Sequence, residues 1–174
     1  MTRVLVTGMS GTGKSSALAE LRRRGYQAID TDEPGWSEWV ASPDEIGGGE
    51  VLWVEDRMAE LLRSHDRRTL FVSGCVRNQT KFYDRFEAIV LLSAPVEVIL
   101  DRIGIRATND YGKSPEERDL ILFHLATVEP ALREASTHRL DAGRTLDEVV
   151  ADLIEISGPP WGLVSSPTPI RSMF

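Results

Sequence analysis

The first chemical signal in this 174-residue sequence lies near its N-terminus, where residues 8–15 fit the pattern G-x-x-x-x-G-K-[ST] of a phosphate-binding loop, or Walker A motif. Glycines allow backbone N–H groups to converge on phosphate oxygens, and a following helix adds the positive end of its dipole. Lys14 is spaced to reach the β- and γ-phosphates of ATP, and the Ser15 hydroxyl to ligate Mg²⁺. We expect the nucleotide to be bound by Gly8, Met9, Ser10, Gly11, Thr12, Gly13, Lys14, Ser15 and Ser16.

A second signal is a pair of acids, Asp30 and Asp32, on either side of Thr31 at the end of an apolar run. Residues two apart on a strand point to the same side, so the two carboxylates can converge. Beside a phosphate-binding loop, one acid would hold Mg²⁺ through water and the other would orient or accept the proton of an attacking hydroxyl. A strand-ending turn with an aspartate cap is the structural alternative.

Arginines provide the third signal, because they cluster in polar segments: Arg77 follows the third apolar run, and Arg102 and Arg106 are four residues apart. Phosphoryl transfer spreads negative charge over the moving group, and arginines that close over it would stabilise that charge. We expect Arg102 and Arg106 to act in catalysis with Lys14 and Asp32, and Arg77 to bind the phosphoryl acceptor. Solvated surface charge is the alternative.

Composition limits the partners. With 27 acidic and 20 basic residues the net charge is −7, which disfavours nucleic acid because a polyanion requires a basic face. The sequence contains no apolar run near the roughly 18 residues of a membrane span, and its N-terminus lacks the apolar region of a signal peptide. The single Cys75 forms no internal disulfide. We expect a cytoplasmic monomer or homodimer that does not bind membranes.

Short apolar runs alternate with helical patterns, which predicts a parallel sheet covered by helices on both faces, an α/β fold. Ligands bind such sheets at the carboxyl ends of the strands, where all three signals fall. The predicted strands are residues 3–7, 26–30, 69–73, 87–93 and 137–140. The predicted helices are residues 16–22, 50–64, 95–103, 114–135 with an interruption near Val128 caused by Pro130, and 145–156; residues 31–49 are predicted as loops and short helical pieces.

Together with the loop and the acid pair, Arg57 and the segment Glu129-Pro130-Ala131-Leu132-Arg133 resemble the shikimate kinase and gluconate kinase branch of the nucleoside-monophosphate-kinase-like P-loop proteins. The resemblance covers about residues 3–157. It implies a three-layer α/β/α fold with a five-stranded parallel sheet in the order 2-3-1-4-5 and a short lid. It also implies ATP and Mg²⁺ as cofactors.

The resemblance further assigns roles to individual residues. Asp30 would support Mg²⁺ and Asp32 would contact the acceptor hydroxyl. Acceptor binding would come from Arg57 and Arg133, and contact with the ATP phosphates from Arg102 or Arg106. Gly143 and Arg144 would lie against adenine. Residues 73–77 depart from the glycine triplet of shikimate kinases, so the acceptor stays open.

We therefore expect a P-loop kinase-like domain over residues 1–157, with an acceptor-binding segment at about 33–64 and a lid at about 104–118, followed by a tail at 158–174. The expected activity is transfer of the γ-phosphoryl group of MgATP to a small metabolite or nucleotide. The alternative is a regulatory nucleotide-binding module whose lid signals its ATP or ADP state to a partner. A nucleic-acid kinase is disfavoured by the charge.

Overall fold

A five-stranded parallel sheet forms the centre of the computed structural model, which describes residues 2–42, 48–65, 69–107 and 110–158. The strands are β1 (Arg3–Thr7), β2 (Gln27–Asp30), β3 (Ser37–Ala41), β4 (Gly49–Trp53), β5 (Leu70–Ser73), β6 (Ala88–Ser93) and β7 (His138–Asp141). The sheet order is β2-β5-β1-β6-β7, whereas β3 and β4 form a separate antiparallel hairpin. When only the strands of the large sheet are numbered in chain order, this order is 2-3-1-4-5, as predicted. The ends of every predicted strand lie within one residue of those observed.

Helices cover both faces of this sheet, so the predicted α/β/α layering is confirmed. The helices are α1 (Lys14–Arg23), α2 (Glu55–Ser64), α3 (Val96–Ile105), α4 (Pro115–Thr127), α5 (Glu129–Ala135) and α6 (Leu146–Ile156), with a 3-10 helix at Arg77–Arg85. Alternation along β1 divides the core, because Val4 and Val6 pack with α1 and α6 while Leu5 packs with α2 and the 3-10 helix. Within the described ranges no helix is long and apolar enough to cross a membrane.

The segment between β2 and α2 was predicted wrongly. Instead of short helical pieces followed by a helix from residue 50, the chain forms the β3–β4 hairpin, and α2 begins only at Glu55. Trp39 pairs directly across the hairpin with Val51, a combination of aromatic and β-branched side chains that stabilises antiparallel strands. The 3-10 helix begins at Arg77, four residues after β5 ends.

Capping residues fix where the helices near the carboxyl edge of the sheet begin. Ser114 opens α4 and Thr145 opens α6, each through a capping box with the glutamate three residues later. Pro130 lies in the first turn of α5, and α4 ends at Thr127, as the predicted interruption near Val128 requires. Three predicted segments lie partly outside the described residues: all of the tail except Gly158, residues 108–109 of the lid, and residues 43–47 of the acceptor-binding segment.

Removing the cap of α6 tests how this helix is anchored. We expect Thr145→Ala to lower the free energy of unfolding by about 1 kcal/mol, because the hydroxyl accepts the Glu148 N–H at the helix N-terminus. Urea denaturation would measure the change. Thr127→Ala is the matched control, since the exposed Thr127 hydroxyl only contacts the Phe123 carbonyl within α4. Equal losses in the two variants would contradict the capping role.

Candidate functional site

The loop of residues 8–15 is held in a conformation that requires glycine. Gly8, Gly11 and Gly13 have φ angles of +148°, +85° and +94°. A Cβ atom on Gly8 would lie 2.4 Å from the Leu92 carbonyl oxygen at the end of β6, and one on Gly11 would lie 3.0 Å from the Ile103 side chain on α3. The loop therefore packs closely between the sheet and α3, and α1 begins at Lys14 with Gly13 as its N-cap.

Cationic side chains converge on this loop from two directions. The Lys14 ammonium donates to the carbonyl oxygens of Gly8 (2.7 Å) and Met9 (3.1 Å). From α3 and the residue after it, Arg102 donates to the Thr12 carbonyl at 3.5 Å and Arg106 to the Ser10 hydroxyl at 3.4 Å. Three positive charges thus surround a loop whose geometry suits phosphate, as an anion-binding site requires.

A cavity of about 550 Å³ opens above the loop. It is lined by Ser10, Gly11, Thr12, Gly13, Lys14, Ser15, Ser16, Asp32, Arg102, Ile105, Arg106, Ala142, Arg144, Leu146 and Val149. Most of the residues predicted to bind nucleotide or to act in catalysis therefore line one space. The predicted Gly8 and Met9 carry the carbonyls that Lys14 contacts, and Gly143 lies between the lining residues Ala142 and Arg144.

Sequence reasoning missed the apolar side of the cavity. Ile105 ends α3 and is 85% exposed, whereas Leu146 and Val149 lie on the first turns of α6. The apolar spacing along residues 146–153 was a usable signal, because a helix that covers the sheet must also present its N-terminal turn at the carboxyl edge. No pattern in the sequence indicated that Ile105 would be exposed.

Asp30 is held firmly at the end of β2. Its Oδ1 accepts the Ser73 hydroxyl (3.1 Å) and the Asp32 N–H (3.2 Å), and the residue is only 7% exposed. Ser73 stands opposite Asp30 in the β2–β5 register. At this level of the sheet, β2 therefore supplies a carboxylate and the neighbouring strand β5 supplies a hydroxyl.

Asp32 lies at the cavity wall, open to solvent on one side. Desolvation by the surrounding protein raises the pKa of Asp32 above its ordinary value; Lys14 opposes this rise, Asp30 adds to it, and Arg106 opposes it. A raised pKa makes the carboxylate a stronger base than an ordinary aspartate. Asp32 thus has the position and basicity suited to accepting a proton near the phosphate-binding loop.

Arg57 faces the loop that follows Asp32. Its guanidinium carbon lies 4.0 Å from the centre of the Trp36 ring, a cation–π contact. A Cβ atom on Gly35 would lie 2.2 Å from Arg57 Nη1, so the guanidinium packs directly against the backbone at that glycine. These contacts hold the exposed Arg57 guanidinium beside residues 35 and 36, which are three and four positions beyond Asp32.

None of the three arginines predicted to bind the acceptor, Arg57, Arg77 and Arg133, is among the residues that line the cavity. Arg77 forms an ion pair with Glu50 of β4. Arg133 donates to Glu129 Oε1 (2.7 Å) and to the Ser93 hydroxyl (3.1 Å) at the end of β6. Arg77 and Arg133 therefore already have acidic partners, and their acceptor-binding role stays a prediction.

The oxygen atoms at this edge fit a hard divalent cation. Proteins usually hold Mg²⁺ through one or two carboxylates while substrate phosphates complete the coordination. Asp32 and the exposed Ser15 hydroxyl line the cavity, and the buried Asp30 carboxylate lies two residues before Asp32, outside the lining. Within the described part of the chain, no group of three or more His, Cys, Asp or Glu residues could hold a metal ion.

A protein-family model described as AAA domain matches residues 4–122, well over half of the chain. The matched region runs from β1 into α4 and includes the phosphate-binding loop, both acids, Arg57, Arg102 and Arg106. A search of curated proteins found no relative.

Solved structures with the same fold include small-molecule kinases. Shikimate kinase from Acinetobacter baumannii, in complex with shikimate, is 16% identical, with a TM-score of 0.61 over 90% of this chain and 92% of that chain. Shikimate kinase from Bacteroides thetaiotaomicron is 17% identical, with a TM-score of 0.59 over 89% of this chain and 97% of that one. A gluconokinase from Sinorhizobium meliloti 1021 is 26% identical, with a TM-score of 0.56 over 90% and 93%. These likenesses confirm the resemblance expected from the sequence.

The environment of Asp32 predicts a pH-dependent change in stability. Because the pKa is raised in the folded state, the stability contributed by this group is present below the unfolded-state value of about 3.9 and is lost as pH rises through the folded-state value. We expect Asp32→Asn to raise the melting temperature at pH 7 by about 1–2 °C, a small effect because solvent screens the exposed side. The gain should shrink at pH 4.

Thermal unfolding at the two pH values would measure this difference. Asp101→Asn removes an exposed carboxylate of α3 that does not line the cavity, and it serves as the matched control. An Asp32→Asn protein that melts below wild type at pH 7 would show that the charged carboxylate stabilises the fold, which is the opposite of the expected sign.

Proposed function

We propose that this chain, which belongs to the AAA domain family, is a kinase that transfers the γ-phosphoryl group of ATP to a small-molecule acceptor. One observation carries the proposal: Lys14, Asp32 and the arginines 102 and 106 line one cavity above the phosphate-binding loop. The kinase folds of the similar structures support the same class of reaction.

In the proposed reaction the acceptor hydroxyl oxygen attacks the γ-phosphorus. A new oxygen–phosphorus bond forms, the bond from the γ-phosphorus to the β–γ bridging oxygen breaks, and ADP leaves with the bonding electrons. The hydroxyl proton passes to the Asp32 carboxylate, whose raised pKa favours its acceptance. Asp30 helps keep Asp32 in place, because its Oδ1 accepts the Asp32 backbone N–H.

The cations stabilise the charge that this reaction develops. Lys14 exchanges its contacts with the Gly8 and Met9 carbonyls for phosphate oxygens, which accept charge-assisted hydrogen bonds. Arg102 and Arg106 line the same cavity, where they can bind the moving group and exclude water. Mg²⁺, held by Ser15 and supported by Asp30, would neutralise phosphate charge when bound.

The acceptor is proposed to be a small hydroxyl compound that carries an anionic group. Arg57, oriented by Trp36, would bind a carboxylate or phosphate, while Asp32 contacts the hydroxyl. The proposed acceptor-binding segment, at about residues 33–64, includes the β3–β4 hairpin. The proposed lid, at about residues 104–118, includes Arg106. The apolar residues Ile105, Leu146 and Val149 would cover the nucleotide base.

Two substitutions test the proposal through separate steps. We expect Lys14→Ala to weaken MgATP binding at least about tenfold, because a charge-assisted hydrogen bond to phosphate is lost. Calorimetric titration would measure this, with Lys81→Ala as control, since Lys81 is exposed and pairs with Glu55. Unchanged affinity of the Lys14 variant would contradict nucleotide binding by the loop.

The transfer step is tested with Asp32→Asn. We expect ATP consumption to be stimulated by at least one member of a panel of shikimate, gluconate and nucleoside monophosphates, and Asp32→Asn to reduce that rate by about 10²–10⁴-fold while MgATP affinity is kept. A coupled ADP assay followed by mass spectrometry of the phosphorylated product would measure it. Slow hydrolysis that no small acceptor stimulates would contradict transfer and would favour the regulatory module.

A further inference from the structure

A buried chain of hydrogen bonds links the β3–β4 hairpin to the segment that carries both acids. Trp53, the last residue of β4, is 1% exposed, and its indole Nε1 donates to the Thr31 hydroxyl at 2.9 Å. The Thr31 hydroxyl in turn donates to the Ser73 carbonyl at 2.6 Å. Thr31 is itself buried and stands between Asp30 and Asp32. The hairpin is therefore hydrogen-bonded to Thr31, the residue that directly precedes Asp32.

The backbone of Trp53 is held independently of its ring. The Asn78 side chain accepts the Trp53 N–H and donates to the Trp53 carbonyl, both at 3.0 Å, and also donates to Glu55 Oε1 at 3.1 Å. Asn78 belongs to the 3-10 helix that follows β5. The end of β4 is thus fixed to the 3-10 helix by its backbone and to Thr31, the residue after β2, by the indole N–H.

No spare room exists where these groups meet. A Cβ atom on Gly74 would lie 2.7 Å from Thr31 Oγ1 and 2.8 Å from Trp53 Cζ2. Such close packing transmits a displacement instead of absorbing it. A shift of the hairpin by a bound acceptor would therefore move Thr31, and with it the adjoining Asp32.

We propose that Trp53 is a positioning residue for Asp32, which couples the acceptor-binding hairpin to the catalytic carboxylate through the Thr31 hydroxyl. The inference rests on the proposed function for the role of Asp32, but the mechanical link stands on the hydrogen bonds alone. A buried hydroxyl that loses its donor must find another partner or bear the cost of an unsatisfied polar group. Without the indole N–H, Thr31 is held less firmly against β5.

Simple core packing is the competing explanation, because the Trp53 ring also packs against Phe82 with ring centres 5.9 Å apart. Trp53→Phe distinguishes core packing from positioning, since it keeps an aromatic ring in the core and removes the indole N–H. Thr31→Val removes the hydroxyl with little change in shape and provides a second route should the first variant fold poorly. Trp39→Phe, on the exposed part of the same hairpin, is the matched control.

Amide hydrogen exchange, followed by NMR, tests the link without any acceptor. We expect Trp53→Phe and Thr31→Val to speed exchange of the Thr31, Asp32 and Glu33 amides about tenfold, because these amides bond to Ser73 and Asp30. The Val90 amide in the sheet centre and the Trp39→Phe control should not change. Exchange at 31–33 that matches wild type in both variants would overturn the proposal.

Kinetics test the catalytic consequence with whichever panel compound is phosphorylated. We expect kcat to fall about tenfold in Trp53→Phe while the KM for ATP is unchanged, and the double variant with Thr31→Val to lose no more than either alone. A purely structural role would lower stability but leave kcat of the folded protein intact, which would overturn the positioning role. A wild-type protein that phosphorylates nothing would refute the proposed function, and the exchange result would still decide the link.

Discussion

The close contact between the phosphate-binding loop and the end of β6 is the constraint on which the rest of the structure depends. A Cβ atom on Gly8 would clash with the Leu92 carbonyl at the end of β6, and one on Gly11 would press against the Ile103 side chain of α3. Because the loop is tied to both layers, α1 begins at Lys14 directly beneath the cavity and Arg102 of α3 faces the loop from above. The positions of Lys14 and Arg102 at the loop therefore follow from one packing arrangement.

Around the phosphate-binding loop, the cationic side chains contact hydrogen-bond acceptors that phosphate oxygens could replace. Lys14 and Arg102 contact backbone carbonyls of the loop, and Arg106 contacts the Ser10 hydroxyl; such contacts are readily exchanged for phosphate oxygens. Asp30, in contrast, is buried and held by Ser73 and by the Asp32 backbone. A rigid acid beside exchangeable cations suits a site that must bind a highly charged substrate and release a product of similar charge.

Much of the fold could be predicted because its signals are local. Alternating apolar runs gave all five strands of the sheet, Pro130 marked the break between α4 and α5, and the loop pattern located the cavity. The β3–β4 hairpin was missed because Trp53 is fixed by Asn78, which lies 25 residues away and has no local pattern. Arg77 and Arg133 were assigned from residue type, which does not show whether an arginine has an acidic neighbour such as Glu50 or Glu129.

A crystal structure with Mg²⁺ and a non-hydrolysable ATP analogue would show directly how the loop holds phosphate. We expect the γ-phosphate to accept hydrogen bonds from the backbone amides of residues 8–15 and the Lys14 ammonium to leave the Gly8 and Met9 carbonyls for the phosphates. We also expect Asp32 to face the γ-phosphate across a gap wide enough for a hydroxyl. A nucleotide bound elsewhere, with Lys14 still on those carbonyls or Asp32 turned away from the loop, would contradict these expectations.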